Sequence, residues 1–105
     1  MINYLIKFED LKWTSPSTGI QQKAFKSGSR QLRLVRFYDD FIEKNWCTKS
    51  HIGLILNGEM IINFDGELKK YKKGDGIWIE KGLLSKHKVI IEKGKHVELI
   101  LFEND

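Results

Sequence analysis

The stretch His51-Ile52-Gly53-Leu54-Ile55-Leu56-Asn57-Gly58-Glu59-Met60-Ile61-Ile62-Asn63-Phe64-Asp65-Gly66-Glu67-Leu68-Lys69-Lys70-Tyr71 decides how the chain folds. It holds three short runs rich in strand formers, at 52–56, 59–64 and 67–71, separated by Asn57-Gly58 and Asp65-Gly66. Both residues of such a pair tolerate positive φ, so each pair predicts a tight turn between antiparallel strands. The runs are too short for typical helices.

Working outward, residues 32–37, 76–79, 87–91 and 97–102 are further β-type runs, and nine glycines against one proline suit a chain that turns often. Many short strands at close spacing predict an all-β sandwich or barrel. Before residue 28 the pattern is less regular. Residues 4–13 read as a strand followed by a helical turn, 14–19 as a loop, and 103–105 as a frayed end.

The 105 residues suffice for one hydrophobic core, and the expectation is a single domain over 1–105. With 41% hydrophobic and 30% charged residues, the composition is that of a packed globule rather than a disordered chain. No apolar run approaches the roughly 20 residues needed to span a bilayer. Met1-Ile2-Asn3-Tyr4-Leu5-Ile6-Lys7 lacks the parts of a signal peptide, and the lone Cys47 cannot close an internal disulfide; both lead to the expectation of a cytoplasmic protein. The net charge of +4 raises nucleic acid as a partner. The lysines are scattered, however, and their densest cluster, Lys69, Lys70, Lys72 and Lys73, lies around the expected hairpin with no nucleic-acid motif beside it. No nucleic-acid role is expected.

The stretch from Trp46 to His87 resembles the cupin superfamily. Its first motif is matched by His51 through Leu56-Asn57-Gly58-Glu59, and its second by Gly74-Asp75, the strand Ile77-Trp78-Ile79 and the turn Glu80-Lys81-Gly82. From about Trp13 to the end the chain is similar to single-domain bacterial cupins with an Asp-His-Trp-Cys first motif, here Asn45-Trp46-Cys47 followed by His51, and with Leu84-Ser85-Lys86-His87 later. The resemblance implies a single-domain antiparallel β-barrel of the double-stranded β-helix, or jelly-roll, type. The three-histidine, one-glutamate ligand set of typical cupins does not carry over: His51 stands at the glutamate position, Asn45 and Cys47 near two histidine positions, and Ser85 at the last.

Side chains two apart on a strand share a face, which groups Asn45 with Cys47, His51 with Gly53 and Ile55, and His87 with Val89 and Ile91. If those faces point inward, Cys47, His51 and His87 converge. A thiolate with two imidazoles suits zinc or a similar divalent transition metal, with Asn45 or water completing the shell. The alternative is a buried cysteine acting as a small hydrophobe beside two core histidines. Gly53 fits either space for a ligand or close strand packing. His96, after Lys93-Gly94, is expected at the surface, and Trp13, Trp46 and Trp78 are expected to fill the core rather than line a pocket. Arg30, Arg33 and Arg36 read as a mixed surface rather than one anion clamp.

The functional expectation is a cupin that binds a small molecule, a metal, or both. A divalent-metal-dependent isomerase or oxygenase acting on a small polar metabolite is the rival. A homodimer is expected, with the apolar start at 1–8 adding a strand to a neighbouring sheet.

Overall fold

The computed structural model describes residues 4–104. Seven antiparallel strands form the fold: β1 (Ile20–Ser27), β2 (Arg30–Tyr38), β3 (His51–Phe64), β4 (Glu67–Lys72), β5 (Gly76–Ile79), β6 (Lys88–Ile90) and β7 (His96–Asn104). Single 310 turns occupy Phe8–Asp10 and Leu83–Ser85. The N-terminal half of β3 pairs with β7 and β5, and its C-terminal half with β4 and β6. One face therefore runs β1-β2-β7-β3-β5, a second smaller one runs β4-β3-β6, and β3 belongs to both. This is the all-β architecture expected from the turn spacing, of the jelly-roll type that the resemblance implied.

Asp65-Gly66 makes the expected hairpin, joining the Phe64–Glu67 pair with φ of 52° and 103°. Asn57-Gly58 does not. Strand β3 passes through it without turning, and the register against β7 shifts by one residue between Ile55 and Asn57. Gly58 has φ 76°, and a Cβ there would lie 2.0 Å from the His96 carbonyl oxygen. The glycine is required by a β-bulge that bends one long strand from one face to the other.

Strand β1 lies where no strand was expected, because Ile20-Gln21-Gln22-Lys23-Ala24-Phe25-Lys26-Ser27 lacks a run of strong strand formers. It is held as the partner of β2 along its whole length. The expected N-terminal strand is absent from residues 4–7, and its first three positions lie outside the described residues. The expected frayed end is also corrected: β7 runs through Glu103, which is buried.

The core is mostly aliphatic, with Val35, Ile55, Ile62, Val97 and Leu99 from the inward positions of β2, β3 and β7 at its centre and Phe37 and Met60 beside them. No tryptophan joins it. Trp78 is on the outer face, Trp46 lies beneath Lys86 and Lys88, and Trp13 packs against Arg36 and Lys23. Branched aliphatics fill a narrow two-faced interior without an indole N–H that would need a buried partner.

Candidate metal centre in the barrel cavity

Cys47 and His87 are joined by two reciprocal backbone hydrogen bonds, Cys47 N–H to the His87 carbonyl at 2.9 Å and His87 N–H to the Cys47 carbonyl at 3.0 Å. Directly opposed residues present their side chains on the same face. His51 opens β3, where alternation turns His51, Gly53 and Ile55 inward and Ile52, Leu54 and Leu56 outward. The result is a compact cluster. Donor atoms of Cys47, His51 and His87 all lie within 4.8 Å of one another, and Cys47 Sγ is 3.5 Å from His51 Nε2.

The outer nitrogens of both rings have partners. His87 Nδ1 donates to the Ser85 carbonyl at 2.9 Å. His51 Nδ1 lies 2.6 Å from Glu103 Oε2, at ion-pair distance although short of hydrogen-bond alignment. Glu103 in turn accepts from Arg33 Nε and Nη2, each at 2.6 Å, and from Gln31 Nε2 at 2.7 Å. A chain of charged groups thus runs from Arg33 through Glu103 and His51 to Cys47.

Electrostatics follow from this chain. Burial would raise the Cys47 thiol, but hydrogen bonding to His51 and His87 outweighs it and brings the pKa down to about 5. For His51, burial works against protonation, yet Cys47 and Glu103 raise it to about 9. His87 is raised too, burial being outweighed chiefly by its contact with Cys47. Burial likewise opposes ionisation of Glu103, whereas His51 and Arg33 hold its carboxyl down at about 2. Without a metal the centre is a thiolate beside an imidazolium.

The cluster lies on the wall of a cavity of about 300 Å3. One side is polar, with Arg33, Glu43, Lys49 and Glu103; the other is apolar, with Phe37, Met60, Ile62 and Leu99 among its residues. Glu43, from the segment between β2 and β3, accepts the Val89 N–H at 2.7 Å, and burial raises its carboxyl above the usual range.

Asn45 does not join the cluster. It is exposed on a bend and does not line the cavity, because 41–46 is not a strand and residues two apart there need not share a face. Gly53 makes no room for a ligand either: a Cβ there would lie 2.1 Å from the Ile100 carbonyl oxygen, so close strand packing explains it. Arg33 leaves the mixed arginine surface for the cavity, while Arg36 pairs with Glu98 outside at 2.6 Å. The placement of Glu103 and Arg33 was available from alternation, since Val97, Leu99 and Leu101 point in, as do Val35 and Phe37. Glu43 had no such signal. His96 is exposed at the start of β7, as expected.

No protein-family model and no curated protein matches the sequence. Solved structures do match the fold. An RmlC-like cupin from Shewanella frigidimarina NCIMB 400 is similar at TM-score 0.76, with 14% identity over 98% of this chain and 91% of that one. The polyketide cyclase RemF from Streptomyces resistomycificus is similar at 0.78, with 12% identity over 98% and 80%. KdgF from a Halomonas species is similar at 0.74, with 18% identity over 100% and 96%. The chain therefore has the cupin fold. Identities this low establish the fold and leave the function to the site itself.

Proposed function

We propose that the protein binds a divalent transition metal, zinc or a similar ion, through Cys47 Sγ, His51 Nε2 and His87 Nε2, and holds a small polar molecule in the adjoining cavity. The observation that carries this reading is the convergence of three donors on the cavity wall with both Nδ1 atoms engaged behind them. Such partners fix ring orientation and leave Nε2 as the ligating atom. Zinc bond lengths of about 2.0–2.3 Å place tetrahedral ligand atoms roughly 3.3–3.7 Å apart, a range that includes the 3.5 Å between Cys47 Sγ and His51 Nε2. A thiolate favours softer ions over magnesium or calcium, and three protein donors leave one position facing the cavity. A reducing, cytoplasmic setting suits this reading because it keeps Cys47 available as a ligand.

Metal analysis of protein purified without a metal-binding tag tests the proposal. About one zinc or similar ion per chain is expected. Cys47→Ser, His51→Gln and His87→Gln should each abolish it with the fold intact, and the losses should not add, because ligands of one ion act as a unit. Metal-free protein under several growth conditions, with no uptake on dialysis, would exclude the reading.

Glu43 favours a second reading, in which the cavity is the active site of a metal-dependent enzyme. It is a buried carboxyl on the cavity wall, outside the three-donor cluster and raised toward the range where an acid can give and take a proton. The bound ion would polarise an oxygen of the substrate. Glu43→Gln should then preserve metal content while lowering turnover of any substrate found by at least about 100-fold. Undiminished turnover would remove Glu43 from the chemistry.

A further inference from the structure

Two segments run side by side along the cavity wall. The chain at 43–48 is tied to that at 82–89 by Gly82 N–H to the Thr48 carbonyl at 2.9 Å, by the two Cys47–His87 backbone bonds, and by Val89 N–H to Glu43. Cys47 and His87 face the cavity, while Trp46 lies outside with the Lys86 and Lys88 ammonium groups over its ring at 5.2 and 4.7 Å. At one end of the pair the chain makes the single 310 turn Leu83–Ser85. Here Leu83 is 77% exposed and Leu84 105%, the highest value of any large hydrophobic side chain among the described residues. On the outer face of the larger sheet Phe25, Ile52, Leu54 and Phe102 are 37–43% exposed and lie against their neighbours; the two leucines of the turn stand clear. Ile42 and Leu68 are exposed as well, but singly. Ile42 precedes Glu43 at the far end of the paired segments, and Leu68 lies on β4 between Glu67 and Lys69, which pair with each other. Scattered apolar residues are ordinary on a protein surface, whereas two adjacent ones on a projecting turn call for a partner.

The surroundings of the turn are basic. Lys81 precedes it, Lys86 and Lys88 follow it, and Lys49 adjoins Thr48, to which the turn is tied. Arg30 is brought to the same end of the barrel by the contacts of Ser29 and Ser50 with Asn104. Arg30, Lys49, Lys81 and Lys88 have no ion-pair partner among the described residues, and Lys86 has only Asp65 at 3.7 Å. Glu80, the acid beside Lys81, holds the Trp78 indole N–H at 2.8 Å.

We infer that the Leu83-Leu84 turn and its ring of cations seat the protein on an anionic lipid bilayer, with the leucines in the boundary between headgroups and acyl chains and the cations against the lipid phosphates. Charge complementarity selects this occupant, because unpaired lysines around an apolar tip are attracted to an anionic leaflet and the tip then inserts. Trp46, part exposed beneath two ammonium groups, is the kind of side chain that collects at headgroup depth. Size argues against a protein partner. Two leucines on a convex turn offer far less than the ~800 Å2 per partner of a standard interface, whereas a bilayer needs only a tip that penetrates it. The seat requires neither a bound metal nor a ligand in the cavity.

Co-sedimentation of the full chain with phosphatidylcholine vesicles containing about 30% phosphatidylglycerol should show binding that pure phosphatidylcholine lacks and that weakens at least ~10-fold between about 0.05 and about 0.5 M salt. Leu83→Ser combined with Leu84→Ser should lower vesicle affinity at least ~30-fold, and Leu68→Ser should leave it within about twofold. A net charge of +4 can adsorb to such vesicles without any tip, so binding that survives the double substitution overturns the inference. In a Cys47→Ser background, a polarity-sensitive dye on Leu84→Cys should shift to the blue with the anionic vesicles. The same dye on Lys93→Cys, in the turn before β7 at the end of the barrel where β3 bends at Gly58, should not shift. The dye decides the question even if the double variant fails to fold. No shift at Leu84→Cys, an equal shift at both positions, or no binding of the unaltered chain overturns the inference, whether or not the turn binds another protein.

Discussion

Glu103 is the residue whose removal best distinguishes a built site from a packed core. Its carboxylate touches none of the cavity's solvent-side chemistry directly; it holds His51 Nδ1 and is itself held by Arg33 and Gln31. A carboxylate behind a ligating imidazole fixes the ring and raises its basicity, and losing one typically costs 10–100-fold in metal affinity. Glu103→Gln should therefore weaken zinc binding by about that factor, measured by competition with a chromophoric chelator. Affinity equal to that of the unaltered protein would reduce Glu103 to a partner for Arg33. The substitution also leaves the Arg33 guanidinium half-buried without its counter-charge, so a loss of about 1–3 kcal/mol in stability should accompany it. The two effects separate by measuring unfolding in chelator, where only the second remains.

At the level of strands, alternation and Asp-Gly turn chemistry were legible because they are local. The inward set His51, Gly53 and Ile55, the Asp65-Gly66 hairpin and the inward residues of β7 all follow from a period of two. What the sequence concealed depended on partners far along the chain. Gly58 looks like a turn glycine, and only the His96 carbonyl pressed against it shows that it serves a bulge. Strand β1 has little intrinsic preference and exists because β2 pairs with it. Cys47 lies outside any named strand and is oriented by one bridge to His87, 40 residues away in the chain. Asn45, two positions earlier, has no such bridge, which is why the strand rule grouped it with Cys47 and the fold did not. The tryptophans were expected inside on size alone, yet the interior is narrow enough for isoleucine, valine and leucine to fill, and Trp78 went to the outer face.

For the molecule as a whole, the cluster links stability to pH in a way that identifies its members. In metal-free protein Glu103 ionises at about 2 instead of its ordinary 4.5, so its contribution is present above 4.5 and disappears as pH falls through 2. Cys47 ionises at about 5 when folded and at 9.0 when unfolded. From pH 5 upward the unfolded chain holds a proton that the folded chain has released, and stability rises with pH. His51 works in the opposite sense: its folded value of about 9 lies above the ordinary 6.5, so its contribution is complete below 6.5 and lost as pH rises through 9. Between 6.5 and 9 the unfolded chain carries the proton on the thiol and the folded chain carries it on the imidazole. For this pair the proton counts then match and its slope vanishes, while His87, also raised, makes a contribution that is lost as pH rises past 6.5. Urea unfolding in chelator should thus show stability climbing from pH 5 to 6.5 and no further climb above it. Cys47→Ser should abolish the climb between 5 and 6.5 and, with no thiol left to balance the His51 proton, turn the stretch above 6.5 into a decline. Zinc should change the profile further, because the ion displaces the His51 proton and its binding strengthens as pH rises toward 9. A flat profile from pH 5 to 9 in the metal-free protein, identical in Cys47→Ser, would show that the thiol and imidazole are not paired in solution.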